Sequence, residues 1–390
     1  MPDDQQPDRT PEGPAAAAPG GSERAWGPRT GSSPTGAGKA RRRRRALRTG
    51  ALGLAALVLA GGGGAGYLYY RLNANIHSVD IDGALGGHRP AKLGNGSMDI
   101  LVLGSDSRSG KNSGYGHDSG TARSDTAMIV HLNKGHTSAS VVSIPRDTLI
   151  SRPACDKPGG GTVPAVQRAM FNTAYEVGGP VCAVKTVESL TGLRMDHYIE
   201  VDFTGFKDLV DALDGVPLST SQAINDPKSH LVLAAGTHTL NGEQALGLVR
   251  TRHGVADGSD LARIQLQQAF MKALMNRVSG LGVFTSPTKL FAVADTATSA
   301  VTTDTGLGSV NKLMGLAESV RNLNSADVHM VTLPVRYAPS DPNRVQPIDA
   351  QAAMVWAALK ADKPIPAAAT KGSAGATAGA GHVVGGTKAG

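Results

Sequence analysis

The 390-residue sequence has no G-x-x-x-x-G-K-[ST] segment and no G-x-S-x-G segment. The first absence excludes a P-loop nucleotide site. The second excludes a serine nucleophile on a strand-to-helix elbow. Cysteine is almost missing, with only two residues, Cys155 and Cys182. A two-cysteine zinc site would need histidines at ligand spacing, and there are none. No internal repeat is present, so a solenoid or propeller is excluded. Charge itself is missing from one stretch. The twenty-two residues "TGALGLAALVLAGGGGAGYLYY", Thr49 to Tyr70, carry none.

That uncharged stretch organises the chain. About twenty apolar residues cross a bilayer as a helix, and Tyr67, Tyr69 and Tyr70 suit its far interface. The net charge of +7 is concentrated just before it, in "KARRRRRALR", Lys39 to Arg48. Alone, such a run suits nucleic acid or a nuclear signal. Next to an apolar span it instead sets orientation, with the N-terminus in the cytoplasm and the remainder outside. A cleavable signal peptide is the competing reading, because small residues abound near Ala60 to Gly66. The long N-terminal extension and the lack of a clean cleavage site favour a retained anchor.

Composition sets the other boundaries. Residues 1–48 are rich in Pro, Gly, Ala, Ser and Thr, and residues 366–390 in Ala, Gly, Thr and Lys. Neither segment promises enough apolar burial to offset chain entropy, so both are expected to be disordered. Residues 71–96 read as a stalk, leaving 97–365 as one extracytoplasmic domain. Both cysteines lie in it, where an oxidising compartment favours a disulfide. The loop of about 28 residues would be worth about 3 kcal/mol.

Within that domain, "MDILVLG" (Met98–Gly104) predicts a strand. "DTAMIVHL" and "TSASVVSIP" flank "NKGH", a hairpin signal. "VQRAMFNTAYEVG" (Val166–Gly178) and "PVCAVKTVESLTG" (Pro180–Gly192) predict two helices. "MDHYIEVDF" and "VPLST" predict strands on either side of the helix "TGFKDLVDALDG". "NGEQALGLVRTRH" predicts a helix that runs out near Gly254. "SDLARIQLQQAFMKALMNRV" is the strongest helix pattern, with Ser259 or Asp260 as cap. Two more helices between 286 and 322, the strand "ADVHMVTLP" and the helix "DAQAAMVWAALKAD" complete the domain. Interleaved strands and helices with one hairpin predict an α/β class, an α/β/α sandwich on a central mixed sheet.

Chemistry-bearing residues collect at the ends of these elements. "LVLGSDSRSG" puts Asp106 and Arg108 after a strand, and "ARSDTAMIV" puts Arg123 and Asp125 before one. "SIPRDT" places Arg146 after a third. Two carboxylates at one sheet edge suit a hard cation such as Mg²⁺. Planar guanidiniums suit a diphosphate, whose oxygens they meet bidentately. Each cluster alone reads equally well as a loop with surface ion pairs. "LVRTRHG" adds Arg250 and Arg252, which share no helix face and can meet one ligand only if the helix ends there. Asp260, Arg263 and Gln267 form one helical stripe. His253 is at most a weak base candidate. At least five arginines and two carboxylates at element ends, outside a membrane, point to a lipid-linked diphosphate.

The ordered pieces "LVLGSDSR", "ARSDTAMIV", "VVSIPRDT", "FNTAYEVGG", "VDFTGFKDLVDALDGVPL", "LNGEQALGLVRTRH" and "SDLARIQLQQ" resemble the LytR-CpsA-Psr family of cell-wall glycopolymer ligases. The resemblance runs from Met98 to Val278 and extends to about Asp362. It implies transfer of a glycopolymer phosphate from a polyprenyl-diphosphate carrier to peptidoglycan, by an enzyme anchored in the cytoplasmic membrane. The polymer is left open, with teichoic acid and arabinogalactan both in range. By match, Asp106 and Asp125 would hold Mg²⁺, or Mn²⁺ in its place. Arg108, Arg123, Arg146, Arg250, Arg252, Arg263 and Gln267 would engage the diphosphate, with Asp106, Asp125, Arg146 and Arg263 as the catalytic set. An apolar tunnel between sheet and helices would take the lipid tail. Many members carry a further arginine where this chain has Leu266. A nucleic-acid partner is not implied. A pyrophosphatase using water, or a non-catalytic sensor of wall lipid, would need much the same residues.

Overall fold

A computed structural model of the chain describes residues 62–87, 89–105, 124–281 and 287–385. Most of the expected membrane span, together with Asp106, Arg108 and Arg123, lies outside them. Among the described residues no helix is long and apolar enough to cross a membrane.

A helix over residues 62–75 (α1) leads into β1 (His77–Val79), α2 (Ile81–Leu85) and β2 (Met98–Ser105). The hairpin partners β3 (Ser124–Leu132) and β4 (Ala139–Ile144) come next. Four short strands follow, β5 (Leu149–Arg152), β6 (Cys155–Asp156), β7 (Thr162–Val163) and β8 (Val166–Met170). Then come α3 (Asn172–Thr191), β9 (His197–Asp202), α4 (Phe203–Ala212) and β10 (Val216–Thr220). β11 (Ile224–Asp226), β12 (Leu231–Leu233) and β13 (Gly236–Leu240) lead to the long pair α5 (Gly242–Arg250) and α6 (Asp260–Gly280). The remaining elements are α7 (Pro287–Ala300), β14 (Val301–Asp304), α8 (Val310–Ser319), β15 (Val328–Thr332), β16 (Val335–Ala338), β17 (Asp341–Pro347) and α9 (Asp349–Lys360).

The central sheet has seven strands in the order β1-β14-β9-β2-β3-β4-β15. β9 runs parallel to β2, while β3 runs antiparallel to both β2 and β4, so the sheet is mixed as expected. Period-two alternation feeds two cores. Leu101, Leu103, Ala127, Ile129, Val142 and Ile144 enter the larger one, shared with α3, α5, α6 and α9. Ile100, Met128, Leu132 and Val141 enter the smaller one, closed by Leu316 of α8 and by Met275.

Three expectations are corrected. Residues 166–170 form β8, paired with β5, rather than the first turns of a helix. Val166 is exposed there and the strand is held by backbone pairing, which side-chain period cannot report. The stalk is shorter than expected. β1 is an edge strand of the central sheet against β14, and Ile81 sits in the main core. The C-terminal segment is also not free of structure. It contains a helical turn, α10 (Ala374–Thr377), and a last strand, β18 (Val384–Gly385), on β10. Ala369, Ala378, Ala380, Val383 and Val384 are buried in the main core. Their small side chains bring the backbone close to α6, where Gln265 donates to the Gly375 carbonyl and accepts from the Gly381 N–H. Residues 386–390 lie outside the described set.

The disulfide joins Cys155 and Cys182 as expected. It needs the break in α3 at Gly178–Gly179. A Cβ on Gly178 would stand 2.6 Å from that of Cys182 and 3.2 Å from that of Cys155.

Deep between β2 and β3, His131 bridges two carboxylates. Its Nδ1 lies 2.8 Å from Asp99 and its Nε2 3.1 Å from Asp362. Burial alone would push this imidazole down, but the two carboxylates outweigh it and hold its pKa above the usual value. Burial also pushes the Asp99 carboxyl up. A group raised on folding contributes stability below its unfolded pKa and loses it as pH rises through the folded one. The melting temperature should therefore fall as pH rises above about 6.5, the usual imidazole value. His131→Gln should flatten that slope. An unchanged slope in the variant would place the titration elsewhere.

Candidate active site

Asp125 is the second residue of β3, at the sheet rim, with its side chain about one-fifth exposed (21%). Arg146 stands in the turn after β4. The turn is fixed because Thr148 donates to the Pro145 carbonyl and Asn172 donates to the Arg146 carbonyl. The Arg146 guanidinium pairs with Asp125. Arg263 comes from the first turns of α6, which Ser259 caps by accepting the Ala262 N–H. The Arg263 side chain is only 4% exposed. Its Nη2 donates to the Asp125 carbonyl at 3.0 Å.

Asp260 collects the cations. Its Oδ1 lies 2.6 Å from Arg263, 3.3 Å from Arg252 and 3.5 Å from Arg146. Gln267, one turn on, donates to Thr126 Oγ1 on β3 and to the Val249 carbonyl of α5, both at 3.0 Å. It thereby ties α6 to the strand that carries Asp125. Asp147 adds a third carboxylate, 3.7 Å from both Arg146 and Arg344.

The electrostatics follow from this crowding. Burial pushes the Asp125 carboxyl up, but Arg263, Arg146 and Arg252 more than offset it and hold its pKa below the ordinary range. Burial also pulls the Arg263 pKa down against the pull of Asp260. Arg146 goes the other way, because Asp125, Asp260 and Asp147 outweigh its burial. The Nε–H groups of Arg146 and Arg263 and both carboxylate oxygens of Asp260 are buried without a hydrogen bond of ordinary geometry. Arg146 Nε meets carboxylates only as an ion pair, 3.5 Å from Asp260 and 3.7 Å from Asp147, so these guanidiniums keep donor capacity for an anion.

Of the residues singled out in the sequence, Asp125, Arg146, Arg252, Arg263 and Gln267 come together. Arg250 does not join the Asp260 group. Its guanidinium lies over the Phe203 ring at 4.9 Å. Leu266 is fully buried in the main core, so its position serves packing. Asp106, Arg108 and Arg123 fall outside the described residues. Sequence reasoning missed Asp260 as a hub. Its i, i+3 spacing to Arg263 was visible, but its burial among three guanidiniums depends on strands and loops far away. Asp147 was visible only as the neighbour of Arg146 in "SIPRDT", and Arg344 carried no local signal.

Among the described residues no group of three or more His, Cys, Asp and Glu side chains is placed to hold a metal. Mg²⁺ asks less of a protein, typically one or two carboxylates with phosphate oxygens completing the shell. An ionised Asp125 at the rim fits that donor chemistry.

The fold and site define a mixed-sheet α/β domain whose rim gathers arginines around aspartates. The chain belongs to the LytR_cpsA_psr family, whose family model matches residues 68–361. It is 34% identical over 303 residues to the cell wall biosynthesis protein LcpA of Corynebacterium glutamicum, covering 70% of this chain and 57% of that protein. The chain thus spans little more than half of that relative's length. It is also 34% identical over 239 residues to the polyisoprenyl-teichoic acid–peptidoglycan teichoic acid transferase TagT of Bacillus subtilis, covering 58% of this chain and 69% of that protein. A solved structure of TagT bound to LI-WTA superposes with a TM-score of 0.51 at 26% identity, covering 70% of this chain and 94% of that one.

Proposed function

We propose that this protein transfers a glycopolymer phosphate from a polyprenyl-diphosphate carrier to a hydroxyl of peptidoglycan, the muramic acid 6-hydroxyl being the acceptor. The observation that carries this reading is the gathering of the Arg146, Arg252 and Arg263 guanidiniums beside an ionised Asp125 at the sheet rim. The names of the relatives LcpA and TagT support it. In this reading the protein works at the outer face of the cytoplasmic membrane, held by residues 49–70.

The acceptor oxygen bonds to the sugar-side phosphorus while the bridging P–O bond breaks and lipid monophosphate leaves. The acceptor proton passes to solvent or to the leaving phosphate. Phosphoryl transfer depends mainly on positioning and on neutralising charge. Arg146, Arg252 and Arg263 grip the diphosphate oxygens, exchanging part of their contact with Asp260 for phosphate. Gln267 holds α6 against β3 so that this grip keeps its geometry. A carboxylate with a depressed pKa is a poor base, so Asp125 acts as an oxygen ligand rather than a proton acceptor. Asp125, with Asp106, would hold Mg²⁺, which when bound would neutralise charge on the diphosphate.

The test uses the full chain in detergent with a lipid-diphosphate glycan, peptidoglycan and Mg²⁺, reading polymer attached to peptidoglycan. Asp125→Ala and Arg146→Ala should each lower the rate by about a hundredfold or more. Transfer at the wild-type rate by both would sink the assignment. Release of free polymer phosphate without attachment would make water the acceptor and the protein a pyrophosphatase.

A further inference from the structure

Arg250 and Arg252 flank a single threonine, yet they go to different places. The helix stop between them is built rather than incidental. Thr251 leaves helical geometry with φ −59° and ψ 133°. It is fully buried, donates from Oγ1 to the Gly247 carbonyl, and shares a 2.8 Å hydrogen bond with Ser229 Oγ. Three residues later, Gly254 has φ +76° and passes so close to β11 that a Cβ there would lie 2.8 Å from the Asn225 carbonyl oxygen.

The centre of this turn is Asp226, the last residue of β11 and only 1% exposed. Its Oδ2 accepts the backbone N–H of Arg252 at 2.8 Å and of His253 at 2.9 Å. Its Oδ1 accepts the Lys228 N–H at 3.0 Å. Burial raises the carboxyl pKa, but these backbone donors outweigh it and keep the group ionised. The carboxylate therefore touches the backbone of the Arg252 turn and none of the site's side chains. Beyond the turn, the Arg252 guanidinium reaches Asp260, 3.3 Å away.

We infer that Asp226 is a positioning residue that fixes the Arg252 backbone, so that the Arg252 guanidinium joins Arg146 and Arg263 on one diphosphate. This inference rests on the diphosphate reading above and extends it to a residue outside the cluster. Because Thr251 turns the chain out of helical geometry, the Arg252 and His253 N–H groups no longer point back at the α5 carbonyls, and the carboxylate accepts them instead. Without it, the turn is free to relax and Arg252 loses its address.

The full chain in detergent, with farnesyl diphosphate and Mg²⁺ as probe, tests this by isothermal titration calorimetry on a double-mutant cycle. Arg252→Ala should weaken binding about tenfold, and Asp226→Asn should weaken it by a similar factor. In the Arg252→Ala background, Asp226→Asn should cost less than about twofold more, because its effect runs through Arg252. A general loss of structure would instead add to the Arg252 effect, and that additivity would overturn the positioning role. Undiminished binding by Arg252→Ala would overturn the diphosphate reading itself, a separate outcome. Should Asp226→Asn fail to fold, Gly254→Ala displaces the same turn. It must then show the same dependence on Arg252 for the inference to stand.

Discussion

Replacing Arg263 by alanine should both destabilise the protein, by about 3 kcal/mol, and abolish diphosphate binding. The side chain is buried between two acids, 2.6 Å from Asp260 and hydrogen-bonded to the Asp125 carbonyl. Removing one partner of a buried pair leaves the other charge uncompensated, which costs about 3–5 kcal/mol. Arg146 and Arg252 stay near Asp260 and share that charge, which places the effect at the low end. The charge of Arg263 is also the leading coulombic pull on the Asp125 carboxyl, with Arg146 adding both charge and a hydrogen bond. In the variant that carboxyl should move back toward the usual range, so the fold should lose less stability on acidification than the wild type does. Arg263→Lys keeps the charge but not the planar fork, so it should recover much of the stability and little of the binding. Urea denaturation and calorimetry with farnesyl diphosphate separate the two effects. Full binding by the lysine variant would show that point charge, not bidentate geometry, is what the site uses.

The second large effect belongs to the disulfide. Changing Cys155 and Cys182 together to alanine should cost about 3 kcal/mol. In a domain of this size that is a fall of about 6–12 °C in melting temperature. The cross-link spans 27 residues of sequence and encloses β7, β8 and the first half of α3. Those are short or kinked elements with little packing of their own. The two cysteines form a small separate cluster with Ala174, apart from both main cores. Dithiothreitol should lower the wild-type melting temperature by the same amount and leave the double variant unmoved. Equal melting temperatures with and without the bond would mean that Phe171 and Val184 hold this corner alone.

Much of the central architecture was legible in the sequence. A short apolar run placed β2, the hairpin signal placed β3 and β4, alternation placed β9, and helical patterns with their caps and stops placed α4, α5 and α6. These elements bury one face or both, so their pattern is strong. β8 was unreadable because its exposed side chains carry no hydrophobic alternation. β1 was unreadable because three residues are too few for a pattern. The C-terminal segment misled in the opposite direction. Alanine and glycine suggested a free tail, but Ala369 and Ala380 fill space that larger side chains would not fit. At the site, residue types were legible and partners were not. Asp-Arg juxtapositions announced an anion site, yet no local rule says that Asp260 meets Arg146 or that Asp226 holds the Arg252 backbone. Those contacts join residues 114 and 26 positions apart, which meet only once the intervening chain has folded.

The strand order has a kinetic consequence. β1 must wait for β14, since His77 pairs with Thr302, and β4 must wait for β15, since Ala139 pairs with Val328. β10 is capped by β18 only when the chain is nearly complete. Loops that long are slow to close, and a domain of such high contact order folds late and slowly. Until Val328 emerges, β4 is an open edge of Ala139, Val141 and Val142, the kind of bare apolar strand that recruits a neighbour. Solubility during synthesis is thus a property of the chain's last quarter, and a protein trimmed there loses its edge protection before it loses its active site.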